Sequence, residues 1–185
     1  NPTEQHNKAL RHLYRYLAND PESGLTFSRG SSDDVFLFAV CDGSKIRGDD
    51  SHGQSAYALF LNLSSGTVSA RSLRNSRITT SPAEEELCAV VSTIKRIIWC
   101  RGLLTEISFP QTEPTPLFTD NTAVIAMTTN EQNTVQNEHM TIAINYVRQQ
   151  IAAGVVVLYH VDGDKNAADV MIKNLAKPKF IPLTK

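Results

Sequence analysis

The spacing of apolar residues changes near residue 35, and this change limits the folds that the chain can adopt. Residues 35–41, VFLFAVC, form an unbroken run of β-favouring side chains that is long enough for a strand buried on both faces. Two further runs, residues 56–61 and residues 67–73, are separated by turn residues and predict two more strands. Three strands joined by turns predict an antiparallel meander.

The second half of the chain alternates helices with strands. Ser81 is a natural N-cap, Pro82 stands at the first helical position, and Glu84 stands at the capping-box position three residues after the cap. An apolar stripe from Leu87 to Ile98 extends this helix. The other predicted elements are helices at 4–18, 120–127, 139–153 and 166–175 and strands at 25–27, 117–119 and 155–159.

From residue 35 onward the order of elements is β-β-β-α-β-α-α-β-α, and this order indicates the fold class. A meander followed by helix-linked strands predicts an α/β protein with a mixed five-stranded sheet flanked by helices. The sheet combines the antiparallel meander with parallel strands. This order resembles that of the ribonuclease H-like fold.

The net charge and the cysteines of the chain indicate which partners it can bind and whether its compartment is reducing or oxidising. The formal net charge of -1 gives no global attraction to nucleic acid. If the partner is a polyanion, the basic residues that contact it must be local, and any acidic cluster must be neutralised by metal. The cysteines Cys41, Cys88 and Cys100 lack paired spacing, which argues against disulfides and a zinc site and favours a reducing compartment.

The ends and the apolar runs of the chain carry two further expectations. No apolar run approaches the roughly 20 residues that a membrane span needs, so we expect no membrane partner. The chain opens with Asn1-Pro2 and has no basic-then-apolar signal, so we expect it to be a piece of a longer protein.

Three aspartates stand at the edges of predicted elements, where they could hold metal. Asp42 continues the buried face of the first strand, Asp120 ends a strand and begins a helix, and Asp169 lies in the first turn of the last helix. Each has a structural alternative. Asp42 could form an Asp-Gly turn, Asp120 could be an N-cap, and Asp169 could interact favourably with the helix dipole. Magnesium prefers hard oxygen ligands, and two ions about 3.5–4 Å apart can activate water and stabilise the departing oxygen of a phosphodiester.

The acidic run at residues 84–86 offers a fourth candidate. At about 100° per residue, Glu85 points opposite the apolar stripe and is predicted to face solvent. Glu84 already serves the capping box. Glu86 flanks the stripe on its other edge, where it could lean toward the sheet. Elimination favours Glu86, although periodicity alone does not decide between the three.

Several segments resemble motifs of one family, the ribonuclease H domain of copia-type LTR-retrotransposon Pol polyproteins. The segment SPAEEELCAV resembles the family's S-S-T-E-A-E-Y-x-A-L motif, and PTPLFTDNTAVIAM resembles P-x-x-L-x-x-D-N-x-x-A-I. NEHMTIAINYVRQQIAAG is similar to K-H-I-x-I-x-Y-x-x-I-R, and HVDGDKNAADVMIKNLAKPKF is similar to x-A-D-x-x-T-K-P-L. The opening residues resemble the segment that joins reverse transcriptase to nuclease, so the resemblance covers nearly the whole chain.

The resemblance implies a division of the chain, a reaction and its partners. Residues 1–30 would be the connection from the reverse transcriptase side, and residues 31–185 the ribonuclease H domain. The implied activity is hydrolysis of the RNA strand of RNA–DNA hybrids during reverse transcription, leaving a 5′-phosphate and a 3′-hydroxyl. The 2′-hydroxyl would distinguish RNA from DNA. The partners would be the hybrid and the reverse transcriptase domain of the same polyprotein, in cytoplasmic virus-like particles.

The same resemblance assigns the catalytic residues and the cofactor. Two Mg²⁺ ions, with Mn²⁺ able to substitute, would be held by the four acids that are also the catalytic residues: Asp42, Glu86, Asp120 and Asp169. One ion would activate water and the other would stabilise the 3′-oxygen leaving group.

The chain departs from the family pattern in places. At the end of the first strand it reads Cys41-Asp42-Gly43-Ser44 where the family usually reads S-D-A-D-W, which is more similar to the D-G-S of cellular ribonucleases H. Near the last acid, Ile172 and Asn174 stand where Thr and Pro are usual. These departures leave open an alternative, a catalytically inactive ribonuclease H-like connection or duplex-binding module. An integrase or transposase of the same superfold generally lacks the terminal A-D-x-x-x-K segment.

Other residues are candidates for supporting roles. His160 ends the last strand and is a candidate auxiliary in proton transfer or product release. Basic residues near the third strand and on the long helix are candidates for phosphate contacts with salt-dependent affinity, with an ordinary mixed-charge surface as the alternative. The candidate nucleic-acid contacts are Arg71, Arg74, Arg77, Lys95, Arg96 and Asn121.

Overall fold

The computed structural model describes residues 1–19, 21, 24–27, 35–45, 52–63, 66–130, 138–173 and 175–184. Five strands form one sheet: β1 (Phe38–Lys45), β2 (His52–Phe60), β3 (Ser69–Ile78), β4 (Thr115–Thr119) and β5 (Val156–His160). The α-helices are α1 (Glu4–Asn19), α2 (Pro82–Glu106), α3 (Thr122–Thr129), α4 (Glu138–Ala152) and α5 (Lys177–Thr184). Two short 3-10 helices, η1 (Gly163–Lys165) and η2 (Ala167–Met171), precede α5.

The strand order is β3-β2-β1-β4-β5, with β1, β2 and β3 antiparallel and with β4 and β5 parallel to β1. The predicted fold class, a mixed five-stranded sheet flanked by helices, is therefore confirmed. Because alternate residues of a strand face opposite sides, Leu37, Ala39 and Cys41 enter the core that α2 and α4 cover. Val40 faces the other side and packs against Ala168 of η2.

Two strand predictions differ from the structure. Strand β1 continues past Asp42, which pairs with Ala56 of β2, so the Asp-Gly turn considered for Asp42 is wrong. The predicted strand at 25–27 does not form, and there the carbonyl of Thr26 accepts a hydrogen bond from the N–H of Gly66 at 2.7 Å. Turn propensity and β propensity act locally, whereas strand pairing depends on the neighbour that folding supplies.

The start of α2 confirms one prediction and contradicts another. The Ser81 hydroxyl accepts from the N–H of Glu84 at 3.2 Å, and the Glu84 carboxylate accepts from the N–H of Thr80 at 2.8 Å. The prediction that Glu85 faces solvent is wrong, because this residue is fully buried. Its carboxylate accepts hydrogen bonds from the Asn75 amide and the Thr79 hydroxyl. Strand β3 covers this side of the first turn, which helical periodicity cannot indicate.

The last predicted helix, 166–175, is instead the 3-10 helix η2, and α5 follows it. Asn166 caps η2, because its side-chain oxygen accepts from the N–H of Ala168 at 3.1 Å. Asn174 lies outside the described residues. This rearrangement matters for the site, since the short helix η2 carries Asp169.

Helix α1 has apolar side chains but no buried residue. Leu13 and Tyr14 are 52% and 64% exposed, and the Tyr16 ring meets the Phe180 ring of α5 edge-on at 6.3 Å between centroids. The predicted boundary between residues 30 and 31 lies outside the described residues, so the division into residues 1–30 and 31–185 stays a prediction. Among the described helices, none combines the length and the apolar character that crossing a membrane requires.

Substitution of Gly43 should destabilise the fold at the junction of β1 and α2. A Cβ atom there would lie 2.5 Å from the Glu85 carbonyl oxygen and 2.7 Å from the Glu86 Cα, so backbone must shift. We expect Gly43→Ala to lower the free energy of unfolding by about 1–3 kcal/mol, measured by urea denaturation.

Gly102, in the exposed part of α2, is the matched control. A Cβ atom there meets no heavy atom within 4 Å, and alanine favours the helix. Gly102→Ala should therefore raise the free energy of unfolding by up to about 1 kcal/mol. A Gly43→Ala protein as stable as the parent would show that β1 and α2 are not in this close contact.

Candidate metal centre

Two neighbouring strands position the first two aspartates. Val40 of β1 is in register with Phe118 of β4, so Asp42 and Asp120 occupy equivalent positions two residues further along parallel strands. Neighbouring strands lie about 4.8 Å apart, which brings these carboxylates together where β4 ends, beside the middle of β1. Asp42 is fully buried, and Asp120 is half-buried.

Helix η2 brings the third aspartate to the same place. Its anchor is Asn166, a fully buried side chain whose amide donates to the carbonyl of Cys41 at 3.0 Å. Ala168 packs against Val40 on the same face of the sheet. Asp169 is consequently only 1% exposed.

The three aspartates can bind a cation together. One carboxylate oxygen from each of Asp42, Asp120 and Asp169 lies within 4.8 Å of the others. Neither carboxylate oxygen of Asp42 accepts a well-aligned hydrogen bond among the described residues, although both are buried. Burying a carboxylate is costly unless cations compensate its charge. An all-oxygen donor set of this kind fits a hard divalent cation such as Mg²⁺.

Glu86 reaches the cluster from the first turns of α2. Its Oε2 atom accepts a hydrogen bond from the N–H of Gly43 at 3.0 Å, and the residue is 8% exposed. Burial and the negative charges of Asp42 and Asp120 raise the pKa of Glu86 to about 9. Of the acids at residues 84–86, Glu86 is thus the one whose charge interacts with Asp42 and Asp120, although the ground for eliminating Glu85, its exposure to solvent, is wrong. The catalytic role of all four acids stays a prediction.

Lysine side chains also enter the cluster. Lys173 is the lysine of the A-D-x-x-x-K segment, although no role was predicted for it. Lys173 Nζ lies 2.6 Å from Asp169 Oδ1 and 3.1 Å from Asp42 Oδ2. Lys179 Nζ lies 2.8 Å from Asp164 Oδ1 and 3.7 Å from Asp169 Oδ2. The spacing of four residues between Asp169 and Lys173 is typical of helical ion pairs and could have indicated the first contact.

Burial and the neighbouring carboxylate of Asp169 raise the pKa of Asp42 to about 6, against the opposing charge of Lys173. Burial by itself lowers the pKa of Lys173, but its contacts with Asp169 and Asp42 outweigh this effect and raise it above the usual range. The ammonium group of Lys173 is therefore charged at neutral pH and compensates part of the negative charge.

His160 is an exposed residue at the end of β5, in register with Thr119, which immediately precedes Asp120. Its side chain thus belongs to the same edge of the sheet as the aspartates. An auxiliary role in proton transfer or product release stays a prediction.

The arginines of β3 do not share one face. Ser69 accepts a hydrogen bond from Arg96 of α2 at 2.9 Å, so Arg71, two residues further, faces the α2 side. Ser72 donates at 2.8 Å to a backbone carbonyl of η2, so Arg74 faces the opposite side. A spacing of three residues suits one side of a helix but alternates sides on a strand.

The other candidate nucleic-acid contacts have varied surroundings. The side chain of Arg77 lies outside the described residues. Lys95 is exposed on α2, and the Arg96 guanidinium lies 4.1 Å from the ring centroid of Trp99, which is 53% exposed. Asn121 caps α3, because its side-chain oxygen accepts from a backbone N–H of that helix at 3.1 Å. Contact of these residues with nucleic acid stays a prediction.

The strand order, the flanking helices and the acidic edge of the sheet define a ribonuclease H-like fold, and solved structures share it. LC11-RNase H1, isolated from compost by a metagenomic approach, superposes with a TM-score of 0.56 at 15% identity, covering 74% of this chain and 92% of that chain. The N-terminal RNase H domain of Rv2228c from Mycobacterium tuberculosis gives a TM-score of 0.55 at 12% identity. The match covers 80% of this chain and 96% of that chain.

The sequence is similar to curated retrotransposon polyproteins. The retrovirus-related Pol polyprotein from transposon RE1 of Arabidopsis thaliana is 26% identical over 179 residues, which cover 97% of this chain and 12% of that protein. The corresponding polyprotein from transposon TNT 1-94 of Nicotiana tabacum is 24% identical over 180 residues, which cover 97% of this chain and 13% of that protein. No family model matches the chain. The predicted resemblance to copia-type Pol polyproteins is confirmed, and this chain spans about an eighth of the relatives' length.

In the metal-free protein, stability should fall as pH rises. The pKa is raised from 3.8 to about 6 for Asp42 and from 4.5 to about 9 for Glu86, so the folded state keeps protons that the unfolded chain has released. This contribution is fully present below about pH 4 and is lost as pH rises through the two folded-state pKa values. A tenfold difference in proton affinity between the folded and unfolded states corresponds to about 1.4 kcal/mol. Urea denaturation in a chelator between about pH 5 and pH 9 measures the loss.

Glu86→Gln is the control for this pH dependence, because the amide cannot titrate. We expect the variant to lose stability less steeply than the parent above about pH 6. If both proteins show the same slope there, Glu86 does not hold a proton in the folded, metal-free state.

Proposed function

We propose that the chain is a magnesium-dependent ribonuclease H that hydrolyses the RNA strand of RNA–DNA hybrids during retrotransposon reverse transcription. The observation that carries this proposal is the convergence of Asp42, Asp120 and Asp169 within 4.8 Å, with Glu86 beside them, on a ribonuclease H-like fold. Similar folds occur in structures described with this substrate. LC11-RNase H1 in complex with RNA/DNA hybrid gives a TM-score of 0.55, and the foamy viral protease-reverse transcriptase in complex with RNA/DNA hybrid gives 0.54.

The residues of the site and the cations that they would hold have different roles in hydrolysis. The chemistry supplied by two bound divalent cations is activation of the attacking water and stabilisation of the 3′-oxygen leaving group. Asp42, Glu86, Asp120 and Asp169 would hold these cations, and the N–H of Gly43 donates a hydrogen bond to the Glu86 carboxylate beside Asp42. Because burial and the neighbouring carboxylates raise the pKa of Glu86 to about 9, Glu86 would have to lose a proton to serve as a ligand.

The similarity to polyproteins supports the proposed protein partner, and the compartment is a further part of the proposal. The relatives are Pol polyproteins of which this chain spans only 12–13%, so the reverse transcriptase domain of the same polyprotein is the proposed neighbour. Replication in cytoplasmic virus-like particles would bring the hybrid and the nuclease together. The metal requirement, with Mn²⁺ as a substitute for Mg²⁺, belongs to the same proposal.

The direct test is cleavage of labelled substrates in the presence of Mg²⁺. We expect the chain to cut the RNA strand of an RNA–DNA hybrid and to leave duplex RNA and duplex DNA intact. Asp120→Asn should lower the rate by about a hundredfold or more, because it removes a ligand of the cations that stabilise the transition state. Asp162→Asn, which changes an exposed acid paired with Lys165, is the matched control and should retain the activity.

The outcomes separate the candidate functions. Binding of the hybrid without cutting would favour the alternative, a catalytically inactive connection or duplex-binding module. Cutting of duplex DNA would instead indicate a nuclease of the integrase or transposase type. Equal activity of Asp120→Asn and Asp162→Asn would contradict the assignment of the site.

A further inference from the structure

We propose that Lys173 is a built-in counter-cation of the carboxylate cluster, which holds Asp42 and Asp169 together when no divalent cation is bound and competes with that cation for their oxygens. This inference rests on the proposed function only in taking the aspartates as metal ligands. It concerns the energetics of the site rather than the cleavage reaction.

The contacts of Lys173 are those of a cation bridging two carboxylates. Its ammonium nitrogen lies 2.6 Å from Asp169 Oδ1 and 3.1 Å from Asp42 Oδ2, and both aspartates are at most 1% exposed. An ammonium group is a compact point charge with three donors, so it can serve both carboxylates at once. The same carboxylates belong to the group of three whose oxygens lie within 4.8 Å of one another.

A metal-free cluster needs such a cation. Like charges at this distance in a buried site repel strongly, and neither oxygen of Asp42 accepts a well-aligned hydrogen bond among the described residues. The position of Lys173 is fixed by η2, because its backbone N–H donates to the carbonyl of Asp169 at 2.8 Å. The lysine is thus tied to the same short helix as one of the carboxylates that it neutralises.

The ammonium can also leave the cluster. The Lys173 side chain is 38% exposed and its stem has four methylene groups, so solvent is accessible to the charge once it is displaced. A divalent cation between Asp42 and Asp169 would repel the ammonium and take over its contacts. Binding of this cation should therefore be weaker than it would be without the lysine, while the metal-free fold should be more stable with it.

The test measures stability and metal binding in the full chain without substrate. In a chelator, Lys173→Gln should unfold at a lower temperature than the parent, by about 3 °C or more, because the carboxylates lose their counter-charge. Added MgCl₂ or MnCl₂ should close this gap. Calorimetric titration should show that Lys173→Gln binds Mn²⁺ about tenfold more tightly than the parent, because no ammonium must be displaced.

Two further variants serve as controls. Lys165→Gln changes an exposed lysine that pairs with Asp162 at 3.4 Å in η1, and it should alter neither the melting temperature in chelator nor the Mn²⁺ affinity. Lys173→Arg retains the positive charge, so it should restore the stability in chelator and should not show the tighter Mn²⁺ binding.

The proposal is overturned if Lys173→Gln matches the parent in chelator and in Mn²⁺ affinity, since Lys173 would then be an ordinary surface ion pair. It is also overturned if Lys173→Gln fails to fold even with Mg²⁺ present, because the role would then be purely structural. A parent protein that shows the expected metal and lysine effects but cuts no hybrid supports the proposal and contradicts only the proposed function.

Discussion

Electrostatic repulsion between buried carboxylates is the constraint on which the rest of this structure depends. Asp42, Asp120 and Asp169 bring oxygens within 4.8 Å of one another, and Glu86 lies close enough to Asp42 and Asp120 for their charges to raise its pKa. Such a cluster is stable only if protons, lysines or metal ions compensate the charge. In the structure the lysines Lys173 and Lys179 supply part of this compensation, and in the proposed function divalent cations would take over this role.

The surrounding fold holds these repelling groups in place through contacts that lie outside the cluster. Asn166 ties η2 to β1 through the carbonyl of Cys41, and Gly43 lets the backbone of α2 approach β1 closely. Glu85, adjacent to Glu86, is bound to Asn75 and Thr79 and so connects the start of α2 to the end of β3. These polar contacts act together with the apolar core behind them, and they leave the carboxylates little freedom to separate.

The topology of the sheet also determines which side each basic residue of β3 faces. Because β3 is the edge strand and its side chains alternate, Arg71 and Arg74 face opposite sides of the sheet. On the α2 side, Arg71 shares its face with Arg96, which stacks on Trp99. A duplex held on that side would meet basic and aromatic groups together, whereas Arg74 belongs to the side of η2 and the lysines.

Short patterns of neighbouring residues were enough to predict the order of the five sheet strands and of helices α2, α3 and α4, the cap at Ser81 and the resemblance to Pol polyproteins. Three features depend instead on the folded chain: the burial of Glu85, the 3-10 geometry of the final predicted helix and the contact of Lys173 with Asp42. Such features require contacts between distant segments, as between Asn166 and Cys41, which are 125 residues apart. Periodicity describes one element at a time, and it cannot specify which surface another element will cover.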